Sequence, residues 1–387
     1  MISIPPPASD IYDAGTGNWT PGSISYGRNS LAAAATGSYI LFAGGGEDWI
    51  LSAFDFVDIY HGATSSWSTA TLSMARQNLA GAAAGSKVLF AGGEDHYATL
   101  DFNTVDIYDT ATGAWSTAQL SVARYALCGA AAGNKIVFAG GMNQSGTFFN
   151  NVDIYDVTTG SWSTASLSKA RAYSAAAASG NKIYIGGGYS TSGASKVVDI
   201  YDVVTNTWTV DSLSQPRAFL SAASAGSNVF FAGGSDAGLT VFYNTVDILN
   251  TTTNAWTASA LATPRALAAA TSINNKFMIG GGVNAGSSPL SSVEIYSVIV
   301  GINELESGQK FSLFPNPAGD ATVINMLNTL GKGTLEIFDA LGQVVYRKAL
   351  NTATTEFSIP TASFQKGFYW VRVSDGTFSV TEKLIKE

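Results

Sequence analysis

The chain has 387 residues, 46% of them apolar and only 12% charged, with a formal net charge of −8. That length exceeds one simple core, the apolar content argues against disorder, and an acidic balance without a basic stripe argues against nucleic acid as a partner. A single cysteine, Cys128, excludes an internal disulfide framework, and no run approaches the roughly 20 apolar residues of a membrane-spanning helix.

In chain order, the opening MISIPPPASD lacks the charged and apolar regions of a secretory signal. One unit then recurs six times. Its anchors are a tyrosine, a tryptophan, an arginine and a glycine pair, clearest at Tyr108, Trp115, Arg124 and Gly140–Gly141. The same anchors return as Tyr12/Trp19/Arg28, Tyr60/Trp67/Arg76, Tyr155/Trp162/Arg171, Tyr201/Trp208/Arg217 and Leu249/Trp256/Arg265. Tyrosine to tryptophan is 7 residues, tryptophan to arginine 9, and arginine to the second glycine 17; only the following stretch varies, from 13 to 15. A unit of this size cannot bury its own apolar face and must stack on its neighbours.

Within residues 124–162, a run of small residues (Ala126 to Ala132) precedes the turn Gly133–Asn134 and the β-branched, aromatic strand Lys135–Ala139. Asn151–Tyr155 alternates apolar and polar residues, and a fourth strand begins around Trp162. Four short antiparallel strands per unit make a propeller blade. The alanine-rich first strands converge on one axis, where large side chains would collide. The tryptophans are expected between blades, and the glycine pair is expected to let a neighbouring ring approach the backbone. The paired glycines, tyrosine, tryptophan and arginine resemble the kelch repeat over residues 10–297, with Leu249, Glu294 and Asn274–Asn275 as departures.

Six glycine pairs and six repeat tryptophans predict six blades in a domain spanning residues 1–299. The last unit loses its tryptophan strand, so Asn18–Trp19–Thr20 is expected to complete that blade and hide its edge. The stretch DIYD at 10–13 then duplicates a third strand already present at Val293–Tyr296. Residues 300–310 read as a linker. Residues 311–387 alternate period-2 strands with Gly and Pro turns, predicting a β-sandwich of about seven strands. Pro315–Asn316–Pro317, Ile337–Gly342, Gly367–Tyr369 and Val380–Ile385 resemble the type A C-terminal sorting domain of the type IX secretion pathway of Bacteroidetes. The resemblance implies export to the cell surface or the medium, an interaction with the secretion machinery, and removal of the tail. It also implies an N-terminal export signal, which points to a truncated start or a mature form.

The variable loops, between second and third strands, share a face with the loops that carry the arginines. An uneven surface on a regular scaffold is where function usually resides. Glu47, Asp48, Trp49, Glu94, Asp95, His96 and Tyr97 are the candidates for binding a glycan or protein ligand. Arg76 and Arg124, with the other four arginines, would form a cationic mouth or else tie backbone carbonyls together. Catalytic patterns are poor. His61 and His96 fall on opposite faces and cannot share a metal, and Cys128 reads as a small core residue. The aspartates of DIYD read as turn supports. No cofactor or metal is expected. The alternative to a binding protein is a non-redox carbohydrate enzyme, like the kelch propellers that epimerise sialic acid, with Glu47 or Glu94 beside Arg76.

Overall fold

A computed structural model of the chain describes residues 8–13, 17–47, 52–95, 97, 99–273, 275–286, 288–298, 311–330, 333–339, 342–350, 354–374 and 379–387. The chain divides into two compact units, Met1–Val298 and Ile299–Glu387. All the regular elements among these residues are strands.

The first unit opens with a hairpin, β1 (Ala8–Asp13) and β2 (Asn18–Ser23). Five four-stranded antiparallel sheets follow. Blade I holds β3 to β6 (Ala32–Thr36, Tyr39–Ala43, Phe56–His61, Ser66–Thr71). Blade II holds β7 to β10 (Ala80–Ala84, Lys87–Ala91, Thr104–Asp109, Ala114–Gln119). Blade III holds β11 to β14 (Cys128–Ala132, Lys135–Ala139, Asn151–Asp156, Ser161–Ser166). Blade IV holds β15 to β18 (Ala175–Ser179, Lys182–Gly186, Val197–Asp202, Thr207–Ser212). Blade V holds β19 to β22 (Ser221–Ala225, Asn228–Ala232, Thr245–Asn250, Ala255–Ala260). Blade VI has three strands, β23 to β25 (Ala269–Ile273, Lys276–Gly280, Val293–Ser297). In the strand pairing, β2 is joined to β1 and not to β25, so Asn18–Thr20 does not become the fourth strand of blade VI.

Each neighbouring pair of blades encloses its own apolar cluster. Between II and III, for example, lie Leu89, Val105, Ile107, Ile136 and Phe138. Small first strands and β-branched second strands let sheets meet face to face, and burial of this kind stabilises by about 25 cal/mol per Å2 of apolar surface. Trp115, Trp162, Trp208 and Trp256 pack against these clusters, each facing its register partner, as Tyr108 faces Trp115 at 4.9 Å between ring centroids. Cys128 is buried at the start of its strand, where burial pushes the thiol up to about 11. The glycine pair has a different reason from the one expected. A Cβ on Gly92, at φ +67°, would lie 2.5 Å from the carbonyl oxygen of Arg124 in the next blade. A backbone, not a ring, makes the close approach.

The arginine layer fixes each blade. The Arg124 guanidinium donates to the carbonyls of Gly140, Val122 and Phe138 and to Asp153, at 2.8 Å for the ion pair. Arg76 pairs with Asp106 in the same way at 2.7 Å. The first aspartate of each VDIY or VDIL stretch is therefore a buried counter-ion, correcting its assignment to turns. The second one, as at Asp156, does cap the turn, accepting from the amide of Thr158.

In the second unit, β26 (Phe311–Phe314), β27 (Ala321–Leu330) and β30 (Thr354–Pro360) form one sheet. The other contains β28 (Gly333–Phe338), β29 (Val344–Leu350), β31 (Gly367–Ser374) and β32 (Ser379–Lys386). Ile324, Phe357, Leu335, Ile337, Val371 and Leu384 from both sheets share one core. Asn316 staples the proline segment to the last strand, donating to Lys383 and accepting from the Ile385 amide.

Candidate functional site

The glycine pair and the arginine bring two short segments together at one end of each blade. The residue after the arginine forms a bridge with the residue after the glycine pair, as in Gln77 with Glu94, Tyr125 with Met142 and Ala172 with Tyr189. The next residue is left-handed in every blade: Ser30, Asn78, Ala126, Tyr173, Phe219 and Leu267, with φ between 53° and 55°. The backbone amide of each donates to the carbonyl of its predecessor, from Asn78 onto Ser30 (3.0 Å) through to Leu267 onto Phe219 (2.9 Å). These bonds form an arc around the mouth of the propeller, and the side chains along it differ from blade to blade.

Blades II to IV carry the polar and aromatic members. Glu94 is buried, accepts from Asn78 Nδ2 at 2.7 Å, and accepts from Gln144 Nε2 on the variable loop of blade III. The Gln144 backbone N–H donates to Asp101 Oδ2 at 3.1 Å, while Asp101 Oδ1 is buried without a hydrogen-bond partner among the described residues. Burial raises the Glu94 carboxyl above its ordinary value, against the lowering effect of the two amides, and burial raises Asp101 too. Tyr125 is pushed up to about 12, first by burial and then by Glu94. Beside them Tyr173 stacks on Tyr189 (centroids 5.7 Å apart, 13° between planes) and packs on Phe219 at 4.6 Å. The result is a patch of aromatic faces next to two carboxyls and an amide.

The residues singled out in the sequence fall in different places. Glu94 belongs to this cluster. Asp95 is held by its own loop, accepting from the amides of Thr99 and Leu100 and the Thr99 hydroxyl, which lowers its pKa against a desolvation that raises it. Asp236 does the same in blade V with Thr240 and Val241. Tyr97 stands 70% exposed on the blade II loop. Glu47 lies on the blade I loop in a two-residue pairing with Ser52. Asp48, Trp49 and His96 lie outside the described residues. Arg76 and Arg124 are fully buried, so of the two roles read from sequence the structure gives them the backbone-tying one, with an aspartate added. Sequence reading passed over Asn78, Asp101, Tyr125, Gln144, Tyr173 and Tyr189. The available signal was position: three fixed-length segments in each unit place the residues just after the arginine in equivalent sites, and there the side chains differ. Among the described residues no three metal-binding side chains converge.

A family model described as the KLHDC2/KLHL20/DRC7 Kelch-repeats domain matches residues 78–282, more than half of the chain. The chain therefore belongs to the kelch-repeat family. A second model, the secretion system C-terminal sorting domain, matches residues 312–387, so this propeller carries a secretion tail. Among solved structures it is similar to one titled "Structure of YjhT", at 16% identity and a TM-score of 0.55, covering 71% of this chain and 96% of that one. Likeness at that identity shows the fold. No curated protein matches the chain.

Proposed function

We propose that this protein acts outside the cell, or on its surface, as a binding protein whose ligand is a glycan held at the mouth of blades II to IV. The sorting tail supports the location, and type IX machinery is the partner that would read it. One observation carries the ligand class: Glu94, Asp101 and Gln144 lie together beside the Tyr173–Tyr189 stack. Sugars present apolar C–H faces that pack on aromatic rings and hydroxyls that pair with carboxylates and amides. The unpartnered Asp101 oxygen suits a hydroxyl donor. The enzyme alternative needs Arg76 beside Glu47 or Glu94, and Arg76 is buried against Asp106. Binding is the reading retained.

A glycan array on the full chain tests this. Retention of one glycan class by the native protein, lost in Tyr189→Ala and in Asp101→Ala at unchanged melting temperature, is the expected result. Binding untouched by both substitutions would remove this site, and binding only to proteins would reassign the ligand.

A further inference from the structure

The hairpin β1–β2 reproduces the outer half of a blade. Its register, with Tyr12 opposite Trp19 and Asp10 opposite Pro21, repeats that of Tyr108 with Trp115 and Asp106 with Thr117. Its position repeats too. Ser25 donates to Asp58 as Ser73 donates to Asp106, so β2 leads into blade I as β6 leads into blade II. On the other side, Lys276 of blade VI reaches the Tyr12 hydroxyl at 3.2 Å. That is the relation of Tyr39 in blade I to Tyr108 in blade II. The hairpin therefore occupies a sector of its own, after blade VI and before blade I.

Only the outer half of that sector is filled by described residues. In the five complete blades the strand in the position of β1 is flanked by a second strand, whereas among the described residues β1 pairs with β2 alone. The hydrogen-bonded arc stops here as well: among the described residues Leu267 accepts no such bond and Ser30 donates none. Val293 and Ile295 of blade VI are each 44% exposed, where Val105 and Ile107 are 0% and 7% exposed. Ile40 of blade I is 39% exposed, where its counterpart Val88 is 0% exposed. Asp10 is exposed and unpaired among the described residues, although each of its five aspartate counterparts and Glu294 holds a buried arginine.

We infer that this face is a docking site for an inner β-hairpin, entering from the N-terminal side of β1 and completing a seventh sector. Three features define the occupant. The apolar walls call for a small-residue strand followed by a β-branched one, as in every other sector. Asp10 calls for an arginine ahead of them. The interrupted arc calls for one left-handed residue that donates to Leu267 and accepts from Ser30. Connection from the N-terminal side follows from chain order, because inner strands precede outer ones in all complete blades. Added strands of this kind bind through main-chain bonds, with side-chain pockets giving selectivity.

The test places a second copy of residues 121–150 directly before Ala8, in place of residues 1–7, in the full chain. The expected results are a melting temperature higher by about 5 °C or more, a blue-shifted emission from Trp19, now 45% exposed, and an amide at Ser30 that exchanges at least about tenfold more slowly. Asp10→Leu in the extended protein should cancel most of the gain. An unchanged melt with an unprotected Ser30 amide would overturn the inference. A second measurement needs no added segment: in the chain as it stands, the amides of β1 should exchange faster than those of Thr104–Asp109. Equal protection would show the edge already covered and would also overturn it. The free peptide 121–150 giving the same protection as the tethered copy would overturn entry from the N-terminal side.

Discussion

Arg124 and Tyr125 are neighbours in the chain and differ in everything else. The arginine is fully buried and makes the same kind of carboxylate ion pair as five others; the tyrosine is replaced in the other blades by Asn29, Gln77, Ala172, Ala218 and Ala266. The contrast shows how a repeat protein separates holding from recognising. The ion-paired layer fixes the backbone so tightly that the next two residues of each blade arrive at equivalent points of the mouth. Their side chains are then free to differ without disturbing the fold.

The sharpest way to break that contrast is to attack the buried layer. Asp153→Ala leaves the Arg124 charge uncompensated in the interior, and thermal or denaturant melts should show a loss of about 3–5 kcal/mol. Trp115→Ala, which opens a void against the cluster between blades I and II, should cost about 3 kcal/mol in the same assay. At the mouth the effect moves from stability to affinity. Tyr173→Ala should lower the melt less than Trp115→Ala does and weaken glycan binding about tenfold, or about 1.4 kcal/mol, by calorimetry.

A smaller effect is read by pH. Burial raises the Glu94 pKa above 4.5 in the folded chain. The stability gained by holding that proton is full below the ordinary value and is lost as pH rises through the raised one. Melts of the native chain and Glu94→Gln compared from pH 4 to 7 should show the native chain losing ground as pH rises. The smallest effect belongs to Tyr97→Ala, whose side chain is largely in solvent; melt and binding should both stay within error.

Much of the propeller was legible because its causes are local and repeated. Alanine runs, Gly-led turns and the tyrosine–tryptophan pairs fixed the strands of each blade, and the proline and glycine turns of the tail marked its sandwich. The role of Asp153 was not, since the sequence shows two aspartates three residues apart and nothing says which one faces the arginine across the sheet. Closure was equally hidden: Asp10–Asp13 fits a third strand wherever it lies, and the contacts of Ser25 with Asp58 and of Lys276 with Tyr12 locate it. Of the candidate site, Glu94 was found through its acidic loop. Tyr125, Tyr173 and Gln144 meet only when separate blades are brought side by side, so no local pattern announces them.

Cys128 has a practical consequence. It is the single thiol of the chain, shielded within blade III and hard to ionise. A thiol-specific reagent can therefore reach it only when that sheet parts from its neighbour. The labelling rate under native conditions becomes a clock for interior breathing, without any engineered probe.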